Sequence, residues 1–271
     1  MLRKTNTLML LLSLLVVLVA GGVVQAAGET PDVQTIVNKA NVMAYYQGDD
    51  GKAKVHMKIT DKQGQVRERE FIILRKDVKD GGDQDYFVYF QRPADVRRMV
   101  FMVHKRAAVD KDDDRWLYMP ALDLVKRIAA SDKRTSFVGS DFLYEDVSGR
   151  SLELDTHELV ETTDAFFVIK NVPKKPEAVE FSHYNVFIDR KNFMPMKMEY
   201  YDKDNGALYR TIESKTVETI EGLPTVTKSL VQNLKTGSKT EMSFTDVDYN
   251  IGIKDVFEER YLRRPPKEAM R

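Results

Sequence analysis

Asp141, Glu145 and Asp146 stand close together in the stretch SDKRTSFVGSDFLYED, residues 131–146, beside serines and basic side chains. Hydrolysis of a glycosidic bond uses such carboxylates in pairs, one as the acid and one on the opposite face of the sugar. The same residues also suit a polar-edged cover over an apolar surface. In that arrangement Phe142, Leu143 and Tyr144 turn inward, and Glu145 and Asp146 stay in water. Asp132, Lys133, Arg134 and Asp141 would tether the cover by ion pairs, and Gly139 would let it flex. Ser140 or Asp141 would cap a short helix in which Leu143 and Val147 lie four apart.

Other constellations offer less chemistry. His56, His104, His157 and His183 are far apart, with none three or four residues from another, so no element carries a zinc-binding pair. Asp110 to Asp114 begins like a calcium loop, but Arg115 stands where the loop needs Gly and Ala121 where it needs Glu. Asp202 to Gly206 places its Gly one position early and reads as a hairpin tip. Ser140 lacks the flanking glycines of a nucleophile elbow, and no Gly-rich phosphate loop occurs. The chain has no cysteine, and its 42 basic residues balance 42 acidic ones. Thiolate chemistry is therefore absent, and no basic surplus invites nucleic acid. The sequence reads as a protein without catalytic residues, metal or cofactor.

The elements that must position these residues are mostly strands. Arg3 and Lys4 precede an apolar run from Leu8 to Val19, and Val24-Gln25-Ala26 has small-x-small spacing. A cleavable signal peptide is predicted over residues 1–26, followed by one domain over 27–271. The run is short for a spanning helix, so a soluble periplasmic protein is expected. Pro31 to Gln47 has helical spacing, with Thr30 as its expected cap. From Lys52 on, alternating runs predict about a dozen strands, ending with Lys239 to Tyr249 and a short tail helix. The links are hairpins, with an Asn-Gly turn at Asn205-Gly206. The expected fold is mainly β: a large curved antiparallel sheet, with an N-terminal helix and short helices over it.

Twelve Met, 13 Phe and 12 Tyr fall largely in alternating rows. Such rows build one apolar face, and flexible Met suits a surface that accepts varied apolar shapes. One helix is too small to cover so wide a face. Val55, Met57, Phe101, Trp116, Met196 and Phe244 are expected to line a cavity, with Phe142, Leu143 and Tyr144 as its lid. The face assignments behind this set are weakest where Gln65 to Lys76 and Met99 to Lys105 are apolar on both faces.

The run DDRWLYMPALDLVKRIAASDKRTSFVGSDFLYEDVSGR, Asp113 to Arg150, resembles the signature of the LolA-like outer-membrane lipoprotein-sorting protein family, in its longer, largely uncharacterised branch. YFVYFQRPADVR, Tyr86 to Arg97, and the later hairpins match as well. The resemblance implies an unclosed β-barrel with helices across an apolar cavity, as in LolA and LolB. It implies a monomeric periplasmic carrier of lipoprotein acyl chains or other lipids, moving them toward the outer membrane, or a lipid sensor. The implied partners are an inner-membrane transporter, of RND/MMPL or ABC type, and an outer-membrane acceptor. The carrier's cavity arginine has no matching position here, which leaves the cargo open.

Overall fold

The computed structural model describes residues 30–108, 110–254 and 256–270. The signal-peptide reading over residues 1–26 lies outside them. Helix α1, Val33–Tyr45, buries Ile36, Val37 and Ala40 at helical spacing. Its cap is Asp32, whose Oδ1 accepts from the Thr35 amide at 3.0 Å, and not Thr30. The helix starts two residues later than expected, where Asp32 is the stronger capping residue.

Thirteen strands follow: β1 (Asp50–Thr60), β2 (Val66–Asp77), β3 (Gln84–Arg92), β4 (Val100–Lys105), β5 (Asp114–Met119), β6 (Leu124–Arg127), β7 (Asp155–Thr162), β8 (Phe166–Pro173), β9 (Phe181–Asp189), β10 (Pro195–Asp202), β11 (Leu208–Ile220), β12 (Leu223–Asn233) and β13 (Ser238–Tyr249). They form one antiparallel sheet in the order β6-β5-β4-β3-β2-β1-β13-β12-β11-β10-β9-β8-β7. Two meanders meet where β1 pairs with β13, and the ends β6 and β7 do not pair with each other. The expected unclosed antiparallel sheet is what the chain builds. The segment 128–154 joins its two free edges, and within it lies a short helix α2, Tyr144–Ser148. The tail carries helix α3, Arg260–Arg263.

Register gathers apolar side chains on one face. Ala53, Ile73, Val88, Phe101 and Leu117 lie opposite one another across β1 to β5, and Val55 lies opposite both Phe71 and Phe244. β3 and β10 are six strand spacings apart, roughly 29 Å along the sheet. Yet Val88 and Met198 border the same cavity. The sheet therefore curls, and this face is concave.

The other face of β2 to β5 is also dry. Ile72, Leu74, Phe87, Val100, Met102, Trp116 and Tyr118 pack under Ile253, Val256, Phe257, Leu262 and Ala269 of the tail. Burial on both faces explains the continuous apolar runs in β2 and β4.

Candidate ligand-binding site

Two covers sit on the concave face. Helix α1 covers β7 to β10, packing Ile36, Val37 and Ala40 against Phe167, Ile169, Phe181 and Tyr184. The crossing segment covers β1 to β5, driving Phe137, Phe142 and Tyr144 into a cluster with Phe71, Phe90 and Phe101. Phe137 is 1% exposed. Its ring lies 5.4 Å from Phe101, 5.7 Å from Tyr144, 5.9 Å from Phe90 and 6.3 Å from Phe71.

Between the covers the concave face stays open as a cavity of about 350 Å³. Its walls come from Ala53, Phe71, Ile73 and Val88 on one side and Met194, Met198, Ile212, Met242 and Phe244 on the other. A second lobe of about 150 Å³ runs under α1, past Ile169, Val186 and Ile188. Tyr45, Phe142, Met198 and Ile212 border both lobes. Exposed Ala44 and half-buried Val247 and Tyr249 form part of the larger lobe's rim, beside the C-terminal end of α1. Pockets of roughly 300–1,000 Å³, mostly apolar with a few polar groups, are the usual form of a small-molecule site. An apolar cavity of about 150 Å³ already takes up benzene.

The residues expected to line the cavity fall in several places. Phe244 and Phe142 border it. Val55, Met57 and Phe101 lie on the same face but are sealed in the core beneath the crossing segment. Trp116 lies on the opposite face, beneath the tail. Phe101 is opposite Leu117, so the neighbouring Trp116 must point the other way. Met196 is displaced by an irregularity between Pro195 and Lys197. That break brings Met194, Pro195 and Met198, but not Met196, to the cavity wall. Tyr144 is buried in the aromatic cluster, whereas Leu143 precedes α2 and is half-buried. Phe137 and Ile212 were missed. Phe137 is distinguished in sequence only by its place in SFVGSDF, and Ile212 only by alternation along β11.

The expectation that Glu145 and Asp146 stay in water is corrected. Glu145 is 3% exposed. Its carboxylate accepts from Arg134 at 2.6 Å and Arg150 at 3.3 Å, with Lys133 at 3.6 Å. Burial alone would raise the Glu145 carboxyl, but these three cations more than offset it and hold it below the ordinary glutamate value. Arg134 reaches on to Glu180 at 2.6 Å, and Arg150 to Asp155 at 2.9 Å. Asp146 pairs with buried Arg210 and accepts from the Leu143 amide at 2.7 Å. This last bond caps α2, in place of the expected Ser140 or Asp141. Asp141 instead accepts from the hydroxyls of Ser238 at 2.5 Å and Thr240 at 2.8 Å. Asp141 and Asp146 thus fasten the crossing segment to the sheet directly, and Glu145 gathers the arginines that reach on to Glu180 and Asp155.

Backbone geometry supports this seating. Val138 and Gly139 take φ of 49° and 79°, turning the chain sharply between Phe137 and Phe142. Gly149, at φ 79°, faces Tyr45, and a Cβ there would stand 2.5 Å from the ring carbon Cζ. Tyr45 is pushed well above its ordinary value by burial, reinforced by Asp146 and Glu145. Tyr200, beneath the same acids, is pushed up to about 12 by burial, with Asp146 the next cause.

The histidines stay separate. His104 meets the Phe257 carbonyl, His157 meets Asn171, and His183 stacks on Tyr201. Among the described residues, no group of three or more His, Cys, Asp or Glu is placed to hold a metal ion. No helix among them is long and apolar enough to cross a membrane.

A family model described as "Uncharacterized protein" matches residues 82–264, about two thirds of the chain. No curated protein matches. Among solved structures, a DUF1329 family protein from Desulfovibrio piger is 29% identical, with a TM-score of 0.77 over 86% of this chain and 100% of that one. An outer membrane lipoprotein-sorting protein domain from Vibrio parahaemolyticus is 26% identical, with a TM-score of 0.76 over 86% of this chain and 98% of that one. A LolA superfamily protein from Nitrosomonas europaea shares the fold at 18% identity, with a TM-score of 0.66 over 86% of this chain and 100% of that one. The chain belongs to the family whose model spans residues 82–264, and it shares its fold with a DUF1329 family protein, an outer membrane lipoprotein-sorting protein domain and a LolA superfamily protein.

Proposed function

We propose that this protein is a periplasmic carrier that holds lipoprotein acyl chains or other lipids in the cavity between α1 and the crossing segment. The observation that carries this reading is the cavity itself: a mostly apolar space on the concave face, left open between two covers. Each methylene moved from water into such a space contributes about 0.8 kcal/mol, so an acyl chain is a strong occupant. Movable thioethers of Met194, Met198 and Met242 in the wall let one space take chains of different shape. The resemblance to a lipoprotein-sorting domain supports the same cargo class.

In this reading residues 1–26 are a signal peptide and residues 27–271 act as one soluble, monomeric domain. The carrier receives cargo from an inner-membrane transporter and delivers it to an outer-membrane acceptor. The crossing segment is a fixed plug. Its buried ion pairs each cost about 3–5 kcal/mol to break by loss of one partner. Cargo then enters at the rim beside Ala44, Val247 and Tyr249.

Native mass spectrometry of protein purified from the periplasm without detergent tests this. Wild type is expected to carry lipid or acylated peptide, and Ile212→Asp and Met198→Asp to lose it while remaining folded. A clean unliganded mass for wild type, with no uptake of fluorescent fatty acid, would sink the carrier reading.

A further inference from the structure

The concave face changes character along its strands. Reading inward-facing positions on β4, Phe101 and Val103 lead to Lys105. On β3, Phe90, Val88 and Tyr86 lead to Gln84, which lies opposite Lys105. Alternation on β5 leads from Leu117 to Arg115, opposite Val103. At this polar end a small pocket of about 40 Å³ opens between the β4–β5 loop and the crossing segment. Glu145 and Gly149 border both this pocket and the second lobe of the apolar cavity.

The pocket is richer in cations than its acids account for. Five basic residues border it: Lys105, Arg106, Lys111, Arg115 and Lys133, against Asp112, Asp113 and Glu145. Glu145 is already shared by Arg134, Arg150 and Lys133. Asp113 is paired with Arg115, and Arg106 bonds to Asp83 and Asp114.

Lys105 is 5% exposed, and its ammonium donates to the Ser148 carbonyl at 2.6 Å. An ammonium has three donors; this one also faces the rings of Tyr45 and Tyr46, at 4.9 and 5.9 Å, and makes no second hydrogen bond among the described residues. Arg115 is 2% exposed, and its Nε has no hydrogen-bond partner among the described residues. Two buried cations with unused donors thus border one pocket, which is the arrangement an oxyanion completes.

We propose that this pocket binds a phosphate group through Lys105, Arg115 and Lys111. The phosphate is either the headgroup of an amphiphile whose chain lies in the adjoining cavity, an arm that rests on the carrier reading, or a free phosphate ion. Burial has pushed the Lys105 ammonium down to about 8, partly offset by Asp113, Glu145 and Asp77; none of these forms an ion pair with it among the described residues, and a bound anion supplies one.

The experiment displaces a fluorescent fatty acid from the full protein with a monoacylglycerol or with lysophosphatidic acid of equal chain length. Inorganic phosphate is titrated separately by calorimetry. Lysophosphatidic acid is expected to bind at least about tenfold more tightly. That preference should vanish in Lys105→Gln and shrink in Lys111→Ala, with monoacylglycerol affinity unchanged. Lys111 is exposed on the loop, so its variant remains informative if Lys105→Gln does not fold. Phosphate binding that needs Lys105, without preference between the two lipids, would assign the pocket to free phosphate. Equal lipid affinities and no phosphate binding would overturn the proposal. Failure of monoacylglycerol to bind overturns the carrier reading instead, and the phosphate titration still decides the pocket.

Discussion

Glu180 ties the crossing segment to the α1 side of the sheet. It accepts from Arg134 through both oxygens, at 2.8 and 2.6 Å, and from the Tyr209 hydroxyl at 2.9 Å. Burial raises its carboxyl, but the Arg134 hydrogen bonds and charge more than offset this and hold it at about 2, against an ordinary 4.5. A depressed carboxyl stabilises the fold at all pH above its unfolded value. That contribution fades as pH falls from 4.5 toward 2, because the unfolded chain takes up the proton first. Glu145 shifts in the same direction and adds to the effect. The Glu180 side chain is 41% exposed, so solvent screening reduces its share. Thermal midpoints measured between about pH 5 and about pH 2.5 should fall steeply for wild type. Glu180→Gln should start lower at the upper pH and fall less. Parallel slopes for the two proteins would show that Glu180 does not contribute through its charge.

The elements were largely legible in the sequence. Apolar runs, alternating in most strands and continuous in β2 and β4, broken by turn signals, marked the strands of the sheet within a few residues. Their facing was less legible. In β4 the neighbours Phe101 and Met102 are both fully buried, one under the crossing segment and one under the tail, so alternation carried no parity there and Trp116 fell to the wrong face. At β10 the irregularity between Pro195 and Lys197 broke a clean Met194-Met196-Met198 row that sequence alone presents as continuous. The ties around Glu145 were hidden for another reason: Arg134 continues from Glu145 to Glu180, and Asp146 meets Arg210, residues far along the chain that only the curled sheet brings near. The crossing segment itself can be tested as an element. Asp141 and Thr240 meet side chain to side chain, and the chain has no other cysteine to confuse a cross-link. A Asp141→Cys, Thr240→Cys protein, oxidised, should take up fluorescent fatty acid within about twofold of its reduced form. Uptake abolished by oxidation and restored by reduction would show that residues 131–146 must lift, as a hinged lid does.

At the level of the whole molecule, a wide curled sheet with two covers leaves a cavity because neither cover reaches the other's side. Ile212 stands at that gap, half-buried, packed against both core clusters and bordering both lobes. Empty apolar space is destabilising, since its lining lacks contacts on one side. A ligand that binds only the folded state stabilises it by about 2.7 kcal/mol at a hundredfold excess over its Kd. For a chain of this size that corresponds to a rise in Tm of roughly 5–10 °C. Ile212→Trp places a large ring at the junction of the lobes. If the space exists to be filled by cargo, the variant should match or exceed the wild-type Tm without lipid. It should also lose most of the lipid-dependent rise, measured by scanning calorimetry with and without a saturating fatty acid. A variant that unfolds early, as overpacking of about 1–3 kcal/mol produces, would mean that the junction is already closely packed. A variant that keeps the full lipid-dependent rise would place the bound chain outside these two lobes.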